Sequence, residues 1–288
     1  MAKLVEIIGV THNPSLPGHF HHRMDEDPAL RPAWDNFALM REKLAAARPD
    51  VVIVAAGDHL NQWFMDNLPP FVVGKAPLAR GPFPHELSAH ELEPYQVEVD
   101  VAAATALLTE GYERGVDFAF SDEFLLDHAF TMPLTYIRPE RDVPIVPLWT
   151  NVMAPPIPPA QRFYNVGLAI HDAITAMPAD KPVAVLASGH MANSIGGPGM
   201  LRIRTNPEPE FDLKMKALLA TGDAPTVIQE ASWDKLIAAG NGTPGFLDFV
   251  LALGVAGGTP PSYVALNSTR ITTAQFFMTW DAPSGGAL

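Results

Sequence analysis

Ten histidines and no cysteine among 288 residues set the chemistry open to this chain. Without thiols it forms no disulfide, carries no thiolate nucleophile and builds no zinc ribbon or iron–sulfur cluster, so any metal must be held by nitrogen and oxygen. Two histidines stand out, His12 in Thr11-His12-Asn13-Pro14 and His59 in Gly57-Asp58-His59. Each follows a short apolar run, Leu4 to Val10 before the first and Val51 to Ala56 before the second. Side chains just past the carboxyl ends of adjacent parallel strands converge on the crevice where ligands bind. The placement therefore predicts two imidazoles facing one point, as in a mononuclear metal site. A lone histidine at a strand end usually makes ordinary hydrogen bonds; the matched context of two points to a metal. Pro14 fixes a turn after the first, and Gly57 gives the second a permissive backbone before it.

Other histidines are weaker candidates for ligation. Gly18-His19-Phe20-His21-His22 is dense, but its spacing supplies no convergent scaffold and no third ligand. In Asp127-His128-Ala129 a histidine stands beside an acid and near Phe124 and Phe130, which suits a proton shuttle or a substrate contact as well as a plain helix-end residue. In Ala187-Ser188-Gly189-His190, followed by Asn193 and Gly196-Gly197, a strand breaks into a glycine-rich turn that brings backbone and His190 toward a ligand. Ser188-Gly189-His190 lacks the G-x-S-x-G elbow of a serine hydrolase.

The elements that must hold these residues are legible as alternating runs. Leu4 to Val10, Val51 to Ala56, Val143 to Leu148, Pro182 to Ala187, Tyr263 to Leu266 and Phe276 to Trp280 read as strands, several of them buried on both faces. Ala33 to Ala47, Leu92 to Leu108, Ala160 to Met177 and Gly245 to Gly254 read as helices. Strands separated by helices predict an α/β fold with a mostly parallel central sheet, in one domain over residues 1–280 followed by a frayed tail at 281–288. The 29 prolines crowd into Leu68 to Pro84 and Met153 to Pro159, read as ordered surface loops around a site. A net charge of −13 disfavours nucleic acid or an anionic membrane as partner. No apolar run approaches the roughly 18 residues of a membrane span, and Glu6 inside the first apolar stretch makes it a poor secretory segment, so a soluble, cytoplasmic protein is expected.

Taken in order, Thr11-His12-Asn13-Pro14, Gly57-Asp58-His59, Leu126-Asp127-His128, Ala187-Ser188-Gly189 and Ala239-Gly240-Asn241 before a helix resemble the class III extradiol ring-cleavage dioxygenases. Within them the pattern resembles the catalytic-subunit type of protocatechuate 4,5-dioxygenase and gallate dioxygenase, over nearly the whole chain. The resemblance implies a non-haem Fe(II) held by two histidines and a glutamate, which binds a catechol through both oxygens, admits O2 at an open position and cleaves the ring beside the diol. His12 and His59 match the two histidine ligands, and His128 matches a mid-chain active-site histidine that contacts a substrate oxygen. Family members assemble as dimers or with a small second subunit, which implies a homo-oligomer or a hetero-oligomer here.

Two positions depart from that pattern. Counting back from Gly254, the family glutamate falls on Gly245, which has no ligating side chain. Asp248, one helical turn on, is the carboxylate expected to complete the metal site. The family's general-base histidine falls near Asn193, which cannot take a proton at neutral pH; His190 and Asn193 are thus expected beside His128 in the catalytic pocket. Two further readings stay open: a catalytically degenerate subunit that supports an active partner, and a non-enzymatic protein that binds a small aromatic among Trp63, Phe64, Phe71 and Trp149. An aromatic carboxylate would need a cation, for which Arg23, Lys75, Arg80, Arg202 and Arg204 are the candidates.

Overall fold

The computed structural model describes residues 2–25, 27–177, 180–195, 208–268 and 273–281. Along the chain run β1 (Lys3–Thr11), α1 (Leu16–His22), α2 (Leu30–Ala47), β2 (Val51–Gly57), β3 (Phe71–Gly74), β4 (Leu78–Gly81), α3 (Pro84–His90), β5 (Tyr95–Glu98), α4 (Val101–Glu113) and β6 (Ala119–Ser121). Then follow α5 (His128–Ile137), β7 (Ile145–Thr150), α6 (Ala160–Ala176), β8 (Pro182–Gly189), α7 (Pro209–Thr221), α8 (Ala224–Glu230), α9 (Trp233–Ala239), a 3₁₀ turn at Thr243–Phe246, α10 (Leu247–Val255), β9 (Tyr263–Asn267) and β10 (Gln275–Asp281).

Eight strands form one sheet in the order β6-β3-β7-β2-β8-β1-β10-β9, and β4 pairs with β5 in a separate ribbon. The four central strands, β7, β2, β8 and β1, are mutually parallel. Antiparallel pairs join the margins to this centre, β10 against β1 and β3 against β7. This is the expected α/β architecture with a mostly parallel sheet.

Both faces of the centre are covered. Val51, Ile53 and Ala55 point into one apolar layer with α6 and α10, while Val52, Val54 and Ala56 point into the other with α2 and α5. The period-2 alternation of side chains is what turns a continuous apolar run into a strand buried on both sides. α10 is buried along its whole length, as its sequence, apolar but for Asp248, requires.

Three local expectations change. Leu92 to Leu108 is not one helix: Tyr95–Glu98 is a strand with alternating burial, and α4 begins only after Asp100, whose side chain accepts the Ala103 N–H as its N-cap. Leu68 to Pro84 is more than loop, since it contains β3 and β4. Of the expected frayed tail, Asp281 ends β10 and 282–288 lie outside the described residues.

Candidate metal and catalytic site

The order β2-β8-β1 decides what meets at the carboxyl edge of the sheet. His12 follows Thr11 at the end of β1, His59 follows Gly57-Asp58 at the end of β2, and His190 follows Gly189 at the end of β8, the strand between them. Thr11 is in register with Gly189, and Ala56 with Ser188, so the three strands end at nearly the same level. The ring centroids of His12 and His59 are 5.2 Å apart, and those of His12 and His190 are 4.0 Å apart. One ligand nitrogen from each of the three lies within 4.8 Å of the other two.

Hydrogen bonds fix the tautomers of the first two. Ser188 Oγ donates its only proton to the Ala129 carbonyl at 2.7 Å, so the 2.9 Å contact to His12 must run from the Nδ1–H to Ser188 Oγ. That leaves Nε2 of His12 as a bare lone pair, and this atom is buried with no hydrogen-bond partner. His59 Nδ1 donates to Asp127 Oδ2 at 2.9 Å, which likewise frees its Nε2. Asp127 is the N-cap of α5: Oδ1 accepts from Ala129 N, while Oδ2 also accepts from His59 N. One capping aspartate therefore starts a helix and orients a ligand, the arrangement that fixes ring direction in metal-bound histidines.

Charge settles the protonation of these rings. Burial, with His190, His59 and His128 nearby, holds His12 well below the ordinary histidine value. Burial, followed by His59 and His128, does the same to His190. At His59 burial pulls the same way, but the charge and hydrogen bond of Asp127 outweigh it and hold the ring above its ordinary value. Imidazoles kept neutral by burial present lone pairs, which is what a divalent cation takes.

His128 begins α5 with its ring centroid 4.2 Å from that of His59. Its Nδ1 donates to Glu86 at 2.5 Å, and Glu86 is only 2% exposed. Glu86 is held in turn by the Phe83 N–H at the start of α3 and by the side chain of Asn61. Sequence reasoning missed Glu86; its only local signal is its place as the third residue of a helix begun by Pro84, and nothing there reports a partner 42 positions away. With Nδ1 committed, His128 has Nε2 alone for a substrate.

Asp248 stands elsewhere. Its Oδ1 accepts from Thr150 Oγ1 at 2.8 Å, at the end of β7, and it belongs to neither group of potential metal ligands among the described residues. Burial pushes its carboxyl up to about 7. Asn193 is part-buried on the turn after β8, its backbone held by Thr243 and Gly242. Of the candidate cations, Lys75 pairs with Asp122 and Arg80 with Gln96, while Arg202 and Arg204 lie outside the described residues. Arg23 lines a cleft of about 350 Å³ with Ser15, His19 and His90, and the His90 ring is 5.8 Å from that of His128. Trp63 and Trp149 meet edge to face, and Phe71 is buried against Phe163, so these aromatics are packing rather than an open binding wall; Phe64 is exposed.

Residues 6–277 match the family described as the catalytic LigB subunit of aromatic ring-opening dioxygenase. A 2,3-dihydroxyphenylpropionate/2,3-dihydroxicinnamic acid 1,2-dioxygenase of Rhodococcus sp is 29% identical over 238 residues, 82% of this chain and 69% of that protein. Its namesake in an Escherichia coli O139:H28 strain is 33% identical over 208 residues, covering 70% of this chain and 60% of that protein. An uncharacterized protein of Escherichia coli K12 with a solved crystal structure shares the fold, with a TM-score of 0.58 at 16% identity over 96% of this chain and 99% of that one.

Proposed function

We propose, from the premise that this chain belongs to the family of LigB catalytic subunits of aromatic ring-opening dioxygenases, that it cleaves a catechol-like ring with O2 at an Fe(II) held by His12 and His59. One observation supports this above the rest: the buried, unpartnered Nε2 of His12, whose tautomer Ser188 enforces, faces the oriented ring of His59. A buried polar nitrogen without a partner is costly unless something binds it. The donor set, nitrogen without thiolate, suits a non-haem iron.

When bound, the metal supplies Lewis acidity toward the diol oxygens and a place for O2 beside them. The chain does the rest. Asp127 and Ser188 hold the imidazoles in one tautomer, so that no reorientation is needed when substrate arrives. His128, poised by Glu86, offers Nε2 to a substrate oxygen and can carry a proton there. Deep burial of His12, His128 and His190 excludes water from the reacting oxygens.

We further propose that the substrate bears a carboxylate. The Rhodococcus and Escherichia coli relatives are named for dihydroxyphenylpropionate, an aromatic diol with an acidic side chain. Here a cleft that reaches toward His128 through His90 carries Arg23 and His19, and its one acid, Glu91, is paired with His22, which leaves Arg23 for such a group. A degenerate subunit would have no use for two imidazoles oriented this way. The test is oxygen uptake after anaerobic Fe(II) loading, with a panel of carboxylated and plain catechols. Incorporation of both atoms of 18O2 into a ring-opened product supports the reading, and iron-loaded protein inert toward every catechol overturns it.

A further inference from the structure

We propose that the metal is held by three imidazoles, His12, His59 and His190, with no carboxylate ligand; this rests on the functional reading above. The observation that carries it is the relation between His190 and Gly245. A Cβ placed on Gly245 would stand 3.1 Å from Cδ2 of His190, 3.2 Å from its Cβ and 3.3 Å from its backbone nitrogen. The direction in which residue 245 would send a side chain is thus the direction His190 occupies. The backbones fit as closely: a Cβ on Gly189 would lie 2.5 Å from the Gly245 carbonyl oxygen, so the end of β8 and the 3₁₀ turn approach each other because position 189 is glycine. The ring of His190 fills the room that a long carboxylate at position 245 would need.

The carboxylates nearest the three rings are committed elsewhere. Both oxygens of Asp127 are taken by Ala129 N, His59 N and His59 Nδ1. Both of Glu86 are taken by Phe83 N, Asn61 and His128. Those of Asp58 accept from Gln62 N and Trp63 N. Asp248 accepts from Thr150 through Oδ1, and its Oδ2, buried without a partner, lies against Gly57 and not within the group of three nitrogens. His190, by contrast, has its Nδ1 buried without a partner, and its ring is the nearest to that of His12 among the three histidines around it. The three ligands come from the ends of three neighbouring strands, β1, β8 and β2, the middle one filling the gap left by the other two. A triad of neutral donors brings no charge to a divalent cation, so compensation falls to the diol oxygens of the substrate and favours their deprotonated form.

X-ray absorption at the iron edge of the anaerobically loaded full chain counts imidazole ligands without any variant. Three in the wild type support the proposal, and two overturn it. The His190→Ala variant, checked for an unchanged melting curve, should bind Fe(II) at least about a hundredfold more weakly, since even losing an outer partner of a ligand costs 10–100-fold. Pairing His190→Ala with Gly245→Glu should restore tight binding with two imidazoles. Asp248→Asn should leave Fe(II) affinity unchanged. Retention of wild-type affinity by His190→Ala, or its loss in Asp248→Asn, overturns the assignment. Three imidazoles in a protein that takes up no oxygen with any catechol would uphold the triad and defeat the functional reading; two imidazoles with uptake would do the reverse.

Discussion

Ser188 Oγ sits 2.9 Å from Nδ1 of His12 and hands its own proton to the Ala129 carbonyl, which forces His12 to donate and leaves its Nε2 bare. The hydroxyl is fully buried near the end of β8 and acts on an imidazole that is itself only 1% exposed. Ser188→Ala removes this control. The expected result is Fe(II) affinity lower by about 10–100-fold, with a stability loss of about 1–2 kcal/mol from the unsatisfied Ala129 carbonyl. Chelator competition and thermal melts check both, and unchanged affinity would count against an orienting role.

Glu86 positions His128 and touches no expected metal ligand directly. Glu86→Gln should therefore keep iron content while lowering kcat by roughly 10–100-fold, part of the roughly 10²–10⁴-fold that a positioned acid–base group contributes. KM should move less than kcat. A loss of iron in this variant would show that Glu86 supports the fold of the site rather than the action of His128.

Arg23 is the expected counterion for a substrate carboxylate. Arg23→Gln should raise KM for a carboxylated catechol by about tenfold or more, the scale of one charge-assisted hydrogen bond, and leave KM for plain catechol nearly unchanged. Equal effects on both substrates would remove Arg23 from the substrate account.

How far the sequence told this in advance differs residue by residue. His12 and His59 were legible because each ends a long apolar run, and a run of five or more β-formers fixes where the strand stops. Six of the strands were visible for the same reason. The ribbon of β4 and β5 was not: four-residue strands carry too little alternation, and the apolar residues around Leu92 and Leu107 fit a helical period as well. His190 was placed in the pocket, yet its approach to His12 depends on β8 lying between β1 and β2, a matter of strand order that local pattern does not encode. Asp248 shows the same limit. One turn separates it from Gly245 in sequence, but the segment changes from 3₁₀ to α between them, and the two residues end over different strands, β8 for one and the end of β7 for the other.

Away from the site, Glu6 is a pH-dependent element of stability. It is 4% exposed on β1, accepts from Thr279 of β10, and burial pushes its carboxyl from 4.5 to about 7 against the opposing pull of Thr279 and Lys43. A carboxyl whose folded value is raised favours the fold fully below its unfolded value, and that contribution is lost as pH rises through about 7. The shift corresponds to about 3 kcal/mol at the alkaline end. Glu6→Gln should thus flatten the fall in melting temperature between mildly acidic and mildly alkaline buffer. Parallel pH profiles for both proteins would show that Glu6 ionises in the fold without penalty.

The decisive measurement is iron bound after anaerobic Fe(II) reconstitution, taken together with oxygen uptake on a carboxylated catechol, for the wild type and His59→Ala. Near-stoichiometric iron with uptake in the wild type, both abolished by His59→Ala in a protein that still melts cooperatively, is the expected result. Iron and uptake that survive the loss of His59 would contradict a metal-dependent ring cleavage at this cluster of histidines.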